Sequence, residues 1–335
     1  MKTNPVFFIF FIALTVVNAS CKKDAPVVPG SDSGIFPLEE ILKSNDQALI
    51  SLVDKVRGSV GRRGPASKTI WSRKNEHGLG LYVSANHAYG VSDWPSPKAQ
   101  FIDVTTTNLG IFETSQIPPV NGAILLGNTL TADFPFFHVD ISPNATNTTV
   151  LPAEDFYLGL IDNQRVEQGP FPRYPDKIQT TTPLQMYDPA NRTKTNRTWN
   201  TAVAGENAIS IGYPQDKVEY PNGAVAYGKV VSDADAREIV STLKAAGDAE
   251  GAIAYDAEVE FFVRSQGIAG MSGGGVFNSE GQLLGIMVRA SNTKKVPNII
   301  RVVKIAYIRA KLISFYNSLS ELEKNKVKAF INGEL

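Results

Sequence analysis

The sequence predicts an all-β body in two halves of similar size, with short helices at its start, within its second half and at its end. Three observations predict it. Short apolar runs bounded by turn residues recur from Val60 onward. A long polar segment, about residues 162–200 and rich in Pro, Thr, Asn and Arg, interrupts them. A connection of that length suits a crossover between two halves. The strand pattern then resumes at residues 208–214 and runs on to a C-terminal helix.

The chain has 335 residues, 43% of them hydrophobic, and no formal net charge. That is enough apolar material for one large or two small domains with real cores. The neutral balance lacks the basic footprint of a nucleic-acid partner. Residues 1–20 read as an export signal: Lys2 gives positive charge, 6–17 form an apolar run too short to span comfortably, and Ala19 and Ser20 precede Cys21. Cys21 is the single cysteine, so no disulfide forms within the chain.

Residues 18–21 (Asn-Ala-Ser-Cys) resemble a bacterial lipobox, and 21–24 resemble the start of a mature Bacteroidetes-type lipoprotein. The resemblance implies lipid attachment at Cys21, a membrane anchor and a cell-envelope address, in the outer membrane or periplasm. Asn18, in place of the usual aliphatic residue, leaves ordinary cleavage and secretion as the alternative. Residues 21–35 read as a flexible tether, and residues 36–335 as the domain. The sequons at Asn144, Asn147, Asn191 and Asn196 read as polar loop chemistry.

The elements follow in order. Residues 45–56 predict an amphipathic helix, with Leu49, Leu52, Val53 and Val56 on one face and Asn45 as its cap. Residues 78–84 are strand-like and lead into 85–88; 123–126, 136–141 and 155–161 are further apolar runs. In the second half, 208–214 and 224–231 predict strands and 233–246 an inserted helix with Ile239, Val240 and Leu243 apolar. Residues 258–261 alternate charge with apolar side chains, as a half-buried strand does. Ile305, Ile308, Leu312, Phe315 and Leu319 recur at helical spacing and predict a helix over about 303–320.

The stretch 270–274 (Gly-Met-Ser-Gly-Gly) carries chemistry. It is followed by an apolar strand (Val276, Phe277), a turn over 278–281, and a second strand over 283–288. Flanking glycines let the backbone turn tightly and bring its N–H groups close to a substrate. A hydroxyl beside free N–H donors is what acyl transfer needs. Alone, the stretch also fits a plain Gly/Ser hairpin loop. It matches the G-x-S-x-G elbow of α/β-hydrolases too, but there the histidine follows the serine. Here His77, His87 and His138 all precede Ser272, the order of chymotrypsin-type enzymes.

Residues 83–87 (Val-Ser-Ala-Asn-His), 212–214 (Gly-Tyr-Pro), 228–232 (Gly-Lys-Val-Val-Ser), and 270–274 with the following Gly285 and Ile286 resemble motifs of bacterial trypsin/chymotrypsin-like serine proteases. The resemblance implies two six-stranded antiparallel β-barrels, over about 60–165 and 200–305, with the active site between them. It implies a serine endopeptidase acting on a polypeptide substrate without a cofactor. The sequence has no H-E-x-x-H and no cysteine pair, so no metal site is expected; a monomer is expected, though nothing in the sequence fixes the oligomeric state. Ser272 is then the nucleophile and His87 the base, and the N–H groups of Gly270 and Ser272 form the oxyanion hole. The aspartate is Asp155, which opens a strand-like run, with Asp133 as runner-up and Asp140 behind it. Pro135 counts against Asp133, since it would interrupt the following strand. His77 reads as a surface residue and His138 as a packed strand residue.

The same resemblance implies that Gln266 lies at the base of the substrate pocket and that Val288 and Arg289 lie on its wall. Gln266 is neutral, which gives no ion pair for basic side chains. Arg289 reads as a solvated strand-end residue that could otherwise favour acidic groups. Met271 stands where zymogen-activated members carry an aspartate, so activation by insertion of a new N-terminus is not expected. Asn86, where the family commonly has Ala, and the uncertain aspartate leave a second reading open: an inactive double barrel serving as a peptide-binding or structural envelope module.

Overall fold

The computed structural model describes residues 34–63, 65–72, 79–89, 99–103, 110–114, 125–126, 129–130, 134–139, 141–142, 144–146, 148–162, 199–292, 298–321 and 324. The export signal, Cys21, His77, Asp133, Asp140, Asn147, Asn191 and Asn196 lie outside the described residues, as does most of the long polar segment.

The chain enters as β1 (Gly34–Pro37), α1 (Leu38–Lys43) and α2 (Gln47–Arg57). The first half then carries β2 (Val60–Arg63), β3 (Ala66–Ser72), β4 (Leu79–Ser84), β5 (Ala99–Asp103), β6 (Gly110–Thr114), β7 (Leu125–Leu126), β8 (Thr129–Leu130), β9 (Phe134–His138) and β10 (Tyr157–Asp162). The second half carries β11 (Asn207–Gly212), β12 (Ala224–Val230), α3 (Asp233–Ala245), β13 (Glu260–Arg264), β14 (Gly275–Asn278), β15 (Leu283–Ala290), β16 (Ile300–Lys304) and α4 (Ile305–Ser318).

The fold is mostly β. Strands β12-β11-β14-β15-β16-β13 pair antiparallel in that order, and β13 pairs back to β12, closing a six-stranded barrel. Closure leaves no free edge in the ring. Its interior is filled from all six strands, by side chains such as Ala226, Val263, Val276, Leu284 and Val302. Alternate residues point outward, and Ile209, Val225, Phe277, Ile286 and Val303 join a second core with Val83, Phe156 and Leu158 of the first half and with α2 and α4. In the first half β2-β3-β4-β10-β9 form a five-stranded antiparallel sheet, and β5–β6 and β7–β8 form two hairpins.

Several elements differ from the sequence reading. Gly34 and Ile35, read as tether, belong to β1, which adds antiparallel to β12 outside the ring. Phe36 stacks on Tyr227 at 5.6 Å, and Leu38 and Ile41 of α1 are buried, which fixes this segment. The cap of α2 is Asp46, whose side chain accepts from the Leu49 N–H at 3.0 Å, one residue after the expected Asn45. Strand β9 starts at Phe134 and includes Pro135. Proline is tolerated there because β9 lies at the sheet's edge, and the pairing with β10 shifts register beside it. Strand β13 is buried on both faces: the Glu260 carboxylate, expected to face solvent, is paired with Arg301 at 2.5 Å. Among the described residues no helix is long and apolar enough to cross a membrane.

Candidate active site

The histidine comes from the end of β4. Ser84 ends the strand, and a 3-10 turn over Asn86–Tyr89 carries His87. Strand β10 pairs antiparallel with β4, Tyr157 opposite Ser84. That register brings the residues just before β10 beside those just after β4. Asp155 lies there, fully buried. Its carboxylate accepts from the His87 N–H at 2.8 Å and meets His87 Nδ1 at 2.7 Å and 3.0 Å. The neighbouring Asn86 Nδ2 donates to the Glu154 carbonyl at 3.2 Å.

A carboxylate only accepts, so Nδ1 carries the ring proton and Nε2 is the acceptor when the ring is neutral. Burial opposes protonation of the ring, but the Asp155 charge and hydrogen bond outweigh it and hold the His87 pKa above the usual 6.5. Arg289 pulls it down and Glu250 pushes it up, both by less.

Ser272 sits in a turn pinned on every side. The Gly273 N–H donates to the Met287 carbonyl at 2.7 Å, and the Met287 N–H donates to the Gly274 carbonyl at 2.9 Å. Strand β3 of the first half straps the turn. The Ser67 N–H donates to the Ser272 carbonyl at 2.8 Å, and Thr69 Oγ1 donates to the Gly273 carbonyl at 2.9 Å. Ser84 Oγ donates to the Ser67 carbonyl at 2.6 Å. Met271 is buried in the barrel core and packs against Gly212, where a Cβ would come within 2.9 Å of it. A packed thioether here offers no partner for a new N-terminal amine.

Gly270 takes φ of +100°, and a Cβ on it would lie 2.5 Å from the Gln215 nitrogen. Only glycine suits that conformation and that approach. The Ala269 carbonyl accepts from the Gln215 N–H at 2.9 Å. A trans peptide points its N–H opposite to its C=O, so the Gly270 N–H is turned away from Gln215. Among the described residues neither the Gly270 nor the Ser272 N–H has a protein acceptor. The Ser272 hydroxyl donates to the Val288 carbonyl at 3.4 Å and makes no hydrogen bond to His87.

His87 and Ser272 open onto one cleft of about 900 Å³, together with Gln266, Val288 and Arg289. The structure thus gathers His87, Asp155, Ser272 and the three expected pocket residues, while Asp133 lies outside the described residues. Arg289 differs from expectation. It is buried, with Nε 2.9 Å and 3.0 Å from the Glu250 carboxylate oxygens and Nη2 donating to the Thr148 carbonyl at 2.6 Å. Glu250 was not among the expected site residues. It arrives on a 3-10 turn, Ala249–Ala252, after α3, and no local pattern signals that an exposed-looking acidic turn returns to the cleft. Ser67 and Thr69 were missed too, since hydroxyls in strands carry no mark of a partner two hundred positions away.

No protein-family model and no curated protein matches the sequence. Similar solved structures include proteases. Rv3671c from M. tuberculosis H37Rv, as an inactive-form serine-to-alanine mutant, is 12% identical with a TM-score of 0.38, covering 83% of this chain and 97% of that one. The inactive form of Rv3671c protease gives 12% and 0.37, covering 81% and 97%. The MamO protease domain from Magnetospirillum magneticum, apo form, gives 17% and 0.34, covering 77% and 97%.

Proposed function

We propose that this chain is a serine endopeptidase that hydrolyses peptide bonds through an acyl-enzyme. The observation that carries the reading is His87, held by buried Asp155 and opening onto the same cleft as Ser272, the pair from the first half and the serine from the second.

In this reading Ser272 Oγ attacks the scissile carbonyl carbon while His87 Nε2 takes the hydroxyl proton. Asp155 holds the ring tautomer and stabilises the imidazolium. The carbonyl oxygen becomes an oxyanion that the Gly270 and Ser272 N–H groups receive; losing one such donor costs ~3 kcal/mol. The C–N bond then breaks, the amine leaves with the proton from His87, and Ser272 holds the acyl group. Water attacks that ester with His87 again as base, which frees the acid and restores the serine. Every group required is a side chain or backbone amide of this chain, so the mechanism calls on no cofactor. The same reading takes a single copy as the working unit, with export and lipid attachment at Cys21 as its cellular setting.

The test is labelling of the purified domain by a fluorophosphonate. Wild type should label and Ser272→Ala should not. The Ser272 hydroxyl's contact with Val288 in place of His87 favours the rival, an inactive peptide-binding module. A folded wild type that neither labels nor cleaves a broad peptide library overturns the endopeptidase reading. Metabolic labelling with a radioactive fatty acid, lost in Cys21→Ala, tests the anchor.

A further inference from the structure

The cleft beside Ser272 holds a charge pair that the mechanism does not use. Arg289 projects from β15, and Glu250 is brought to it by the segment inserted between β12 and β13. Both side chains are more than nine-tenths buried, at 7% and 6% exposure, yet both line the cleft. The Arg289 guanidinium is directed at protein acceptors: both Glu250 oxygens, the Thr148 carbonyl, and the Val150 carbonyl at 3.5 Å.

The inserted segment is fixed in place. Asp248 Oδ2 accepts from the Asn292 N–H at 2.9 Å, and Arg301 donates to the carbonyls of Glu250, Ile253 and Ala254 at 3.0–3.1 Å. Arg301 also lies 3.6 Å from the Glu250 carboxylate, but its own partner is Glu260 at 2.5 Å. Two carboxylates and two guanidinium groups therefore cancel. Besides His87, the other polar side chains lining the cleft among the described residues are neutral, among them Gln266, Thr148, Asn292 and Asn298.

We propose that Glu250 is a specificity-determining residue: by cancelling Arg289 it makes this a pocket for an uncharged side chain on the residue N-terminal to the scissile bond (P1). The proposal rests on the endopeptidase reading above. Among the described residues, a lysine, arginine, aspartate or glutamate entering the cleft would lose its water without finding a free counter-ion, which is costly. An uncharged side chain loses little and finds apolar wall from Ile268, Met287 and Ala290. Remove one member of the pair and the other becomes the missing counter-ion. Glu250→Gln exposes a positive charge and recruits acidic P1; Arg289→Gln exposes a negative charge and recruits basic P1.

The experiment compares wild type, Glu250→Gln, Arg289→Gln and the double variant. Each is reacted with a simple fluorophosphonate and with peptidyl diphenyl phosphonates carrying Leu, Met, Gln, Lys or Glu at P1, and each rate is divided by that variant's fluorophosphonate rate. Wild type should favour the uncharged probes over Lys and Glu by about tenfold or more. Glu250→Gln should gain about tenfold for Glu, Arg289→Gln about tenfold for Lys, and the double variant should return to uncharged probes. Should one single variant fail to fold, the opposite shift expected of the other still decides. A wild type that reacts as fast with Lys or Glu overturns the proposal. So do folded single variants that keep the wild-type order, or fluorophosphonate labelling with no reaction at any peptidyl probe. Absence of fluorophosphonate labelling in folded wild type instead removes the endopeptidase reading, and this proposal with it.

Discussion

Ser67 Oγ donates a hydrogen bond to the Gly270 carbonyl at 2.8 Å, across 203 positions of sequence, and accepts one from the Tyr213 N–H at 2.7 Å. One buried hydroxyl thus ties β3 of the first half to both the serine turn and the end of β11. The Gly270 carbonyl it holds belongs to the peptide that presents Met271, one residue before the candidate nucleophile.

Ser67→Ala removes the hydroxyl and leaves a buried carbonyl and a buried N–H without this partner. The expected loss is about 1–3 kcal/mol of stability. Because the orphaned carbonyl lies in the serine turn, fluorophosphonate labelling should slow as well, by about tenfold if the turn relaxes. Urea unfolding and labelling rates check both. Unchanged stability and unchanged labelling would mean that the strap does not hold the turn.

The Asp155–His87 pair predicts a pH profile. The His87 pKa lies above 6.5, so the neutral ring, and with it labelling of Ser272, should grow as pH rises through that higher value. In Asp155→Asn the raising charge is gone and burial remains, so the midpoint should fall below 6.5 while the rate drops by on the order of 10⁴. Stability runs the other way. A raised histidine pKa contributes stability that is fully present below 6.5 and is lost as pH rises through the folded value. The stability gap between wild type and Asp155→Asn should therefore narrow from acid to alkaline pH. Labelling rates and thermal unfolding across pH test the two halves of this prediction separately.

Much of this arrangement was legible because it is local. Strands stood out as short apolar runs between turns, α3 and α4 by their period, and the serine turn by its glycines. Asp155 was separable from Asp133 on the strand pattern that follows each, although Pro135, used in that choice, turned out to sit inside edge strand β9. What was not legible depends on register and on distance. The meeting of Asp155 with His87 follows from Tyr157 lying opposite Ser84, a pairing no single strand encodes. Arg289 looked like a solvated strand end because its partner, Glu250, lies 39 residues away on an inserted turn. The early start of β1 was hidden because Gly34 and Pro37 have poor strand propensity, and Phe36 stacking on Tyr227 overrides it.

Gly273 takes φ of +84°, and a Cβ there would lie 2.1 Å from the Ser67 carbonyl and 2.5 Å from Ser84 Oγ. Two independent costs meet: a left-handed backbone and a collision with the strap. Gly273→Ala should destabilise by more than about 2 kcal/mol and displace Ser272, abolishing labelling at temperatures where the protein is still folded. Gly205 makes the control: its φ is +83° with nothing within 4 Å of an added Cβ. Gly205→Ala should cost about 1 kcal/mol from backbone strain alone and leave labelling intact. Equal effects from the two substitutions would show that the collision with β3 is relieved at no cost.

Arg301 is fully buried, bidentate to Glu260 at 2.5 Å and 2.9 Å, and its guanidinium lies over the Phe262 ring at 5.1 Å. Burial raises the Glu260 pKa, and the Arg301 hydrogen bond and charge oppose that rise without cancelling it. Taking Arg301 away leaves a buried carboxylate with its largest favourable contact gone. Arg301→Met should cost about 3–5 kcal/mol. Adding Glu260→Leu removes the stranded charge and should restore part of that loss. It should not restore all of it, because the carbonyls of Glu250, Ile253 and Ala254 stay without their donor. Those carbonyls hold the segment that carries Glu250, so the double variant should remain folded yet relax the P1 preference toward acidic probes as Arg289 loses its partner. Chemical denaturation of the single and double variants, read alongside their peptidyl phosphonate profiles, separates the two roles. A double variant as stable as wild type, with an unchanged profile, would assign Arg301 to charge balance alone.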